Sequence, residues 1–385
     1  MNYFAILLLL SALIYSAFIF WCFNGWIKLK PFHSSKKDFI TTVSVIIPAR
    51  NEEENISNCL LDIVNQTYPA RLFEIIVADD RSTDGTVAVV NRILKQYPDH
   101  KIVLLNNNEG HNSLYKKQAI TNAVEKATGE LIVTTDADCR ISPGWLATIV
   151  SYYEAEHPSM IAGPVCFSGE KNNFEKLQGI EFMGLIGIGA GSISNDRPVM
   201  CNGANLAYTK KAFLEVNGFA EESETASGDD TQLMLKIAKR NFSKVHFLKS
   251  YEAIVYTTPM HSLQDLFHQR KRWASKIPSK MGLLTVAIAS VAYLLHAGLF
   301  IAIFMVPFHH SILPFILSAF LLKAISEFLL LNSLSLFFRK KNSPLLFLAA
   351  QIIYLFYIVV MGAASLFGTY KWKGREIKIP ESGYH

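Results

Sequence analysis

The chain has 385 residues, of which 50% are hydrophobic and 18% are charged, and its net charge is +5 at pH 7. A soluble globular domain carries about 25% charged residues, so this composition excludes a simple soluble protein as well as a disordered chain. The five cysteines are far apart and form no C-x-x-C pair, which excludes a disulfide scaffold and argues against a zinc site.

The charged residues are concentrated in the middle of the chain. Residues 1–27 carry none, and only 11 of the 69 Asp, Glu, Lys and Arg residues lie outside positions 28–280. No basic helix with interleaved aromatic residues occurs, so we expect no nucleic-acid partner. The distribution predicts a water-facing domain held between apolar, bilayer-embedded ends.

The first predicted element is the apolar stretch Tyr3 to Phe23, which is long enough to cross a hydrocarbon core about 30 Å thick. It lacks the charged leading region of a signal peptide, so we expect an uncleaved transmembrane anchor rather than a cleaved signal. Lys28 and Lys30 follow it, and the positive-inside rule therefore predicts that residue 28 onward is cytoplasmic.

Positions 42–165 alternate strand-like and helix-like runs. Four short apolar runs are typical of buried strands: Val43–Pro48, Phe73–Asp79, Lys101–Leu105 and Leu131–Thr135. Amphipathic runs between them predict helices at Glu52–Gln66, after Ser82 and Asp84, and at 114–127. The alternation predicts an α/β fold, with a mostly parallel sheet and helices on both faces. In such sheets, ligands bind at the carboxyl ends of the strands.

Those strand ends carry carboxylates. No G-x-G-x-x-G or G-x-x-x-x-G-K-[ST] sequence occurs, which disfavours a dinucleotide-dependent oxidoreductase and a P-loop ATPase. Asp136 and Asp138 follow the fourth strand. Two carboxylates held at such a turn can bind a hard divalent cation and leave positions for a diphosphate. A simple turn or a helix cap is the alternative interpretation.

The C-terminal part contains three further apolar stretches, at about 283–307, 312–337 and 345–368. Lys323 and Glu327 lie within the second, at i and i+4. Ionisable groups at membrane depth are costly, so we expect them to pair, in either a structural or a headgroup-binding role. Four spans would place the basic residues 371–378 outside, against the positive-inside rule, so one stretch is expected to be interfacial or re-entrant.

Five motifs then occur in order: Val45-Ile-Ile-Pro-Ala-Arg-Asn-Glu52, Val77-Ala-Asp-Asp-Arg-Ser-Thr-Asp-Gly-Thr86, Thr135-Asp-Ala-Asp138, Gly228-Asp-Asp230 (within the acidic run from Ser227 to Thr231) and Gln269-Arg-Lys-Arg-Trp273. On these motifs, about residues 40–280 resemble a membrane-bound family 2 glycosyltransferase with a GT-A fold. The resemblance implies transfer from a nucleotide-activated sugar with inversion at the anomeric carbon. It divides the chain into an N-terminal transmembrane anchor, a nucleotide-sugar-binding half, an acceptor-binding and catalytic half, C-terminal transmembrane helices and a basic tail, at 1–27, 28–170, 171–280, 281–370 and 371–385.

The resemblance also implies which residues contact the donor. A carboxylate from the Asp79–Asp80 pair would accept a hydrogen bond from uracil, which indicates a UDP-sugar, and Lys116 and Lys117 would approach the diphosphate. The expected nucleotide-sugar-binding residues are Pro48, Ala49, Arg50, Glu52, Asp79, Asp80, Lys117, Asp136, Gln269, Arg272 and Trp273. A solvated amphipathic helix is the alternative reading of the last three.

The catalytic and metal-binding residues follow from the same likeness. Asp138, together with Asp136, is the expected ligand of Mn²⁺ or Mg²⁺, which would neutralise charge on the departing UDP. Asp230 matches the family's catalytic aspartate and would deprotonate the acceptor hydroxyl as general base. Because Gly228 and Asp229 replace the family's preceding residues, Asp229 stays open as an alternate. The alternative interpretation is that Asp229 and Asp230 are negative charges that stabilise the N-terminus of a helix and have no catalytic role.

We therefore expect a multi-pass membrane protein with a cytoplasmic catalytic domain that moves a sugar from a UDP-sugar to a membrane lipid hydroxyl. A processive polysaccharide synthase is the alternative enzyme, but a polymer channel usually needs more than three spans after the catalytic domain. A membrane scaffold or transporter is the non-enzymatic alternative, and the ordered strand-end carboxylates disfavour it. The short apolar run Ile180–Ile193 is expected to be either a wall of the acceptor site or a buried helix.

Overall fold

A computed structural model of the chain describes residues 2–106, 115–220, 228–275, 282–341, 343–366 and 368–379. Of the residues named above, Leu114, Ser227, residues 276–280 and residues 380–385 lie outside this set. The chain divides into two compact units. The α/β unit comprises Leu29–Gly169 and Asp196–Thr258, and the helical unit comprises Met1–Lys28, Glu170–Asn195 and Pro259–His385.

The elements are numbered in chain order. The strands of the α/β unit are β1 Val43–Ala49, β2 Phe73–Asp79, β3 Ile102–Asn106, β4 Leu131–Thr134, β5 Arg140–Ile141, β6 Met160–Ala162, β7 Val165–Phe167, β8 Leu206–Thr209, β9 Val245–Phe247 and β10 Val255–Thr257. Its helices are α2 Ile56–Val64, α3 Thr86–Gln96, α4 Tyr115–Lys126, α5 Trp145–Glu156, α7 Lys210–Glu215 and α8 Asp229–Arg240. The helical unit contains α1 Asn2–Lys28, α6 Asn173–Ser194, α9 Leu263–Ala274, α10 Leu283–Met305, α11 Leu313–Phe338, α12 Pro344–Ala364, β11 Thr369–Trp372 and β12 Arg375–Lys378.

The main sheet of the α/β unit has the strand order β3-β2-β1-β4-β8-β6-β9. The first four of these strands run parallel to one another. β8 is antiparallel to both β4 and β6, and β9 is parallel to β6. The sheet is therefore mostly parallel, which confirms the predicted fold class. The register pairs Ala49 with Asp79, so the carboxyl ends of β1 and β2 lie side by side.

The local sequence explains these elements. All seven positions of β2 are buried, as expected for a parallel strand covered on both faces. The apolar residues of α2 recur at helical spacing, and all five predicted face positions are buried: Ile56, Cys59, Leu60, Ile63 and Val64. The helix begins at Ile56 rather than at Glu52, and a turn precedes it. In this turn the Glu52 carbonyl oxygen accepts from the N–H groups of Asn55 and Ile56.

Within the described part of the chain, four helices are long and apolar enough to cross a membrane. They span Tyr3–Lys28, Leu283–Met305, His310–Phe338 and Pro344–Ala364. They match the four apolar stretches that the sequence predicts, so the helical unit is built largely from candidate spans. How many of them cross the bilayer, and in which direction, stays a prediction.

Helices α1 and α6 approach each other closely through glycine. A Cβ atom at Gly191 would stand 2.0 Å from the carbonyl oxygen of Cys22, and one at Gly25 would stand 2.1 Å from the carbonyl oxygen of Gly191. Only glycine permits backbones to come this near. Most residues of the predicted Ile180–Ile193 run are buried within α6, which confirms that this run is a buried helix.

The predicted pair of charges at membrane depth is formed and shielded. Lys323 donates to Glu327 at 2.9 Å and to the Gln351 side-chain oxygen at 2.7 Å. The Tyr15 hydroxyl and the Gln351 amide also donate to Glu327, at 2.6 and 2.7 Å. Since this network joins α1, α11 and α12 and Lys323 is fully buried, the contacts favour the structural role over headgroup binding.

The basic tail contains a β-hairpin that the sequence analysis does not predict. Strands β11 and β12 pair antiparallel, and Lys373 and Gly374 form the turn with φ angles of 47° and 77°. Two consecutive positive φ values are what a tight two-residue hairpin turn requires. Tyr370 is buried on the inner side of this hairpin.

Candidate active site

The loops that follow β1 and β2 are joined by hydrogen bonds. The Asp80 N–H donates to the Ala49 carbonyl at 2.8 Å. The Arg50 guanidinium donates to the carbonyl oxygens of Asp80 and Arg81 at 2.6 and 2.8 Å. The structure thus brings the predicted residues Ala49, Arg50 and Asp80 together, and Arg50 braces the backbone of the neighbouring loop.

The acidic residues of these loops accept hydrogen bonds from neighbouring groups. Asp79 accepts from the Ser82 N–H at 3.1 Å, and Glu52 accepts from the Asn55 amide at 3.0 Å. Asp84 accepts from the N–H of Thr86, the first residue of α3, at 3.0 Å. These bonds hold the two loops in one conformation, with the carboxylates of Asp79 and Asp80 both buried.

The turn after β4 carries the predicted metal ligands. The Asp136 carbonyl accepts from the Cys139 N–H at 3.1 Å, which closes the turn. The Cys59 thiol lies 3.6 Å from the same carbonyl oxygen, and the Cys139 thiol lies 3.7 Å from the Asp138 carboxylate. Burial, followed by the Asp138 carboxylate, raises the pKa of both thiols well above their ordinary value. Both cysteines are therefore protonated at neutral pH.

Lys116, in the first turn of α4, stands among three carboxylates. Its ammonium donates to Asp136 Oδ1 at 2.9 Å. Burial lowers the pKa of Lys116, but the carboxylates of Asp136, Asp229 and Asp230 more than offset this, so that its pKa lies above the ordinary lysine value. Lys116 is therefore a fixed positive charge at neutral pH. Its neighbour Lys117 is buried and donates to Gln232 on α8 at 3.1 Å.

Asp229 and Asp230 are the first two residues of α8, directly after Gly228, whose φ is 96°. Asp230 Oδ2 accepts from the Gly203 N–H at 2.9 Å, and Oδ1 accepts from the N–H of Thr231 at 2.8 Å. Two backbone donors therefore orient this carboxylate. The sequence alone did not reveal that Gly203 supplies one of them.

A cleft that is partly open to solvent collects several of these groups. Residues that line it include Pro48, Lys116, Thr134, Gly203, Asp229 and Asp230. Through Lys116 the cleft also adjoins Asp136. The structure thus unites the β1 end, the β4 end and the acidic motif. Within the described residues, the Asp79–Asp80 loop is not part of the cleft lining.

The donor set around Asp136 suits a hard cation. Mn²⁺ and Mg²⁺ prefer carboxylate oxygens and commonly use few protein ligands, because phosphates and water supply the others. Asp136 and Asp138 are both partly exposed. In the described part of the chain no three His, Cys, Asp or Glu side chains form a ready metal-binding cluster. The pair therefore fits a cation that is held jointly with a bound diphosphate.

The remaining predicted residues lie on α9 of the helical unit. Trp273 packs against Phe182 with ring centroids 6.0 Å apart, and the Arg272 guanidinium lies 5.8 Å from the centroid of the Trp372 ring. The Gln269 amide oxygen accepts from Arg270. Because Gln269, Arg272 and Trp273 recur at helical spacing, α9 presents them along one side. Arg270, which contacts two of the three, was not singled out by the sequence analysis.

Comparison with known families decides the class of the protein. A family model described as "Glycosyl transferase family 2" matches residues 44–215, and one described as "Glycosyl transferase family group 2" matches residues 131–364, more than half of the chain. The chain belongs to the family 2 glycosyltransferases. This membership confirms the resemblance that the five motifs indicate, while the roles of individual residues stay predictions.

Curated relatives of this glycosyltransferase share parts of the chain. Glycosyltransferase AglE of Haloferax volcanii is 32% identical over 126 residues, which cover 33% of this chain and 40% of the relative. Beta-monoglucosyldiacylglycerol synthase of Synechocystis sp. is 27% identical over 240 residues, 60% of this chain and 47% of the relative. The chain thus spans about half or less of the length of these relatives.

A solved structure shows the same fold as this glycosyltransferase. A mannosyltransferase from Pyrobaculum calidifontis, solved in complex with GDP-Man and Mn²⁺, superposes with a TM-score of 0.58 at 21% identity. The match covers 94% of this chain and 98% of the solved one. It confirms the predicted GT-A architecture with its accompanying helices.

Proposed function

We propose that this family 2 glycosyltransferase transfers a sugar, with inversion, from a UDP-sugar to the hydroxyl of a membrane lipid. The observation that carries the proposal is the cleft in which Lys116 is surrounded by Asp136, Asp229 and Asp230. A fixed cation beside several carboxylates is suited to a reaction in which a diphosphate departs and a hydroxyl loses its proton.

Asp230 is the proposed general base. In the reaction, the acceptor oxygen forms a bond to the anomeric carbon while the bond from that carbon to the diphosphate breaks, and the hydroxyl proton passes to the Asp230 carboxylate. The hydrogen bonds from Gly203 and Thr231 support this role because they hold the carboxylate in one orientation at the cleft wall. Asp229 also faces the cleft and is the alternate base.

The leaving diphosphate would be met by Lys116. Its ammonium is paired with Asp136, and a bound diphosphate offers it a second anionic partner. A Mn²⁺ or Mg²⁺ ion held by Asp138 and Asp136 would supply Lewis-acid neutralisation of the departing charge. The mannosyltransferase of similar fold was solved with Mn²⁺, which supports a divalent ion here, and with a GDP-sugar, which makes the choice of UDP a point to test.

The lipid acceptor rests on two observations. The described residues contain four helices long and apolar enough for a bilayer. The Synechocystis relative is named a beta-monoglucosyldiacylglycerol synthase, an enzyme whose name denotes a glycolipid product. Together they favour one sugar on a lipid over a growing polysaccharide.

The direct test is product analysis with the purified full-length protein in vesicles that contain a bacterial lipid extract enriched in diacylglycerol. UDP-glucose, UDP-galactose, UDP-N-acetylglucosamine and GDP-mannose are offered separately, and lipids are read by mass spectrometry. We expect a monoglycosylated lipid from a UDP-sugar, and loss of activity in EDTA that Mn²⁺ restores. High-molecular-weight polymer would favour the synthase, and full activity in EDTA would remove the cation from the proposal.

A further inference from the structure

One arginine of α9 is unaccounted for by the proposed chemistry. Arg270 lies between Gln269 and Arg272, yet its side chain is only 3% exposed, whereas arginines are rarely buried. Burying a guanidinium is costly unless its charge is paired and its N–H groups are hydrogen-bonded. The groups that pair with the Arg270 guanidinium therefore indicate why this side chain is buried.

A carboxylate from another helix pairs with this guanidinium. Arg270 Nε and Nη2 donate to Glu181 Oε2 at 3.0 and 2.8 Å. The other oxygen of Glu181 accepts from the Tyr357 hydroxyl at 3.0 Å. Glu181 lies on α6 and Tyr357 on α12, so one network ties α9 to two helices of the same unit. A two-point contact of this kind fixes the guanidinium plane as well as its position.

The remaining surface of the guanidinium contacts the sequence motif itself. Arg270 Nη1 donates to the Gln269 side-chain oxygen. The guanidinium carbon lies 4.1 Å from the centroid of the Trp273 ring, a close cation–π contact. Phe182, the residue after Glu181, packs on the same indole with an interplanar angle of 31°. Arg270 thus restrains the amide of Gln269 and the ring of Trp273 at once.

We propose that Arg270 is a positioning residue, which the Glu181–Tyr357 pair anchors and which in turn sets the orientation of Gln269 and Trp273. The inference rests on the proposed function in that Gln269 and Trp273 are taken to act on the substrates. The proposal gives α6 and α12 an indirect part in the reaction, because Glu181 and Tyr357 on these helices hold Arg270, which orients Gln269 and Trp273. A merely structural ion pair would stabilise the unit without affecting the Trp273 ring or turnover.

The first test needs no activity. Full-length protein labelled with 5-fluorotryptophan is studied by ¹⁹F NMR in detergent, and Trp273→Phe identifies the Trp273 signal. We expect Arg270→Met and Glu181→Gln to shift or broaden that signal and to leave the other tryptophan signals in place. Lys340→Met is the matched control, because it breaks the 2.6 Å pair with Glu170 in the same unit. A Trp273 signal that is unchanged in folded Arg270→Met overturns the proposal.

The second test separates positioning from folding. Removing Arg270 alone leaves the Glu181 carboxylate buried and unpaired, so Arg270→Met/Glu181→Met serves as the variant that folds without a buried charge. We expect this double variant to lower kcat/KM for the sugar donor about tenfold, and Arg270→Lys to recover part of the loss. Wild-type kcat/KM in the double variant overturns the inference. If the wild-type protein transfers no sugar, the proposed function fails and the ¹⁹F experiment still decides the role of Arg270.

Discussion

The close approach of α1 and α6 predicts that Gly191→Ala destabilises the helical unit. The added methyl group would lie 2.0 Å from the Cys22 carbonyl oxygen and under 3.0 Å from two further backbone atoms of that residue, whereas ordinary contacts begin near 3.4 Å. Backbone atoms cannot move aside by changing rotamer, so the two helices must separate. Overpacking of this kind typically costs about 1–3 kcal/mol and sometimes more.

A second glycine on the same helix is the matched control. A Cβ at Gly184 would find Leu331 at 3.7 Å, an ordinary van der Waals distance. In a helix interior, Gly→Ala gains about 0.5–1 kcal/mol where space permits, and both substitutions carry this gain. Because the gain is common to both variants, they should differ by the overpacking cost, about 1–3 kcal/mol in unfolding free energy, with Gly184→Ala the more stable.

Thermal unfolding of the detergent-solubilised protein, followed by circular dichroism, checks this prediction. We expect Gly184→Ala to melt at or slightly above the wild-type temperature and Gly191→Ala to melt a few degrees below Gly184→Ala. Equal melting temperatures for the two variants would refute the reasoning, because they would show that α1 and α6 do not meet at this glycine.

Two further predictions concern the α/β unit. Lys116→Met should raise the KM for the sugar donor about tenfold in steady-state kinetics, because the cation proposed to meet the diphosphate is lost. Lys126→Met, at the exposed end of the same helix, is the control and should leave this KM unchanged. Equal KM values for the two variants would contradict the proposed role of Lys116. Burial raises the pKa of Glu74, but hydrogen bonds, of which that from Lys101 is the strongest, lower it to about 2. The ionised Glu74 carboxylate therefore stabilises the folded state fully above about pH 4.5, and this stabilisation is lost as the pH falls through about 2. Glu74→Gln should therefore unfold about 2 kcal/mol more easily than wild type at pH 7, and this gap should narrow by more than half at pH 3. A difference in unfolding free energy that is the same at both pH values would show that the charge of Glu74 does not contribute to stability.

Much of the α/β unit could be predicted because its signals are local. The buried run Phe73–Asp79 forms β2 with the predicted bounds, and the apolar face of α2 is buried as its period indicates. The antiparallel strand β8 between β4 and β6 could not be predicted this way, since Leu206–Thr209 is short and its neighbours are remote in sequence. Strand order depends on long-range packing, which periodicity does not encode.

The candidate site shows the same division. Asp136 and Asp230 can be singled out from the sequence because each belongs to a short motif at a predicted strand or helix end, and their roles stay predictions. The contacts of Arg270 could not be predicted in this way, because Glu181 and Tyr357 lie 89 and 87 positions away on other helices. The tail hairpin had a usable local signal, since Lys373-Gly374 between alternating apolar residues is typical of a two-residue turn.

The central claim is that Asp230 takes the proton of the acceptor hydroxyl. Its most direct test is turnover of Asp230→Asn, measured as release of UDP in lipid vesicles, with UDP affinity measured by calorimetry on the same preparation. We expect turnover to fall by about 10²–10⁴-fold while UDP affinity stays within about twofold of wild type, since only the base is removed. Normal turnover in Asp230→Asn, with the loss appearing in Asp229→Asn instead, would contradict the claim and assign the base to the neighbouring aspartate.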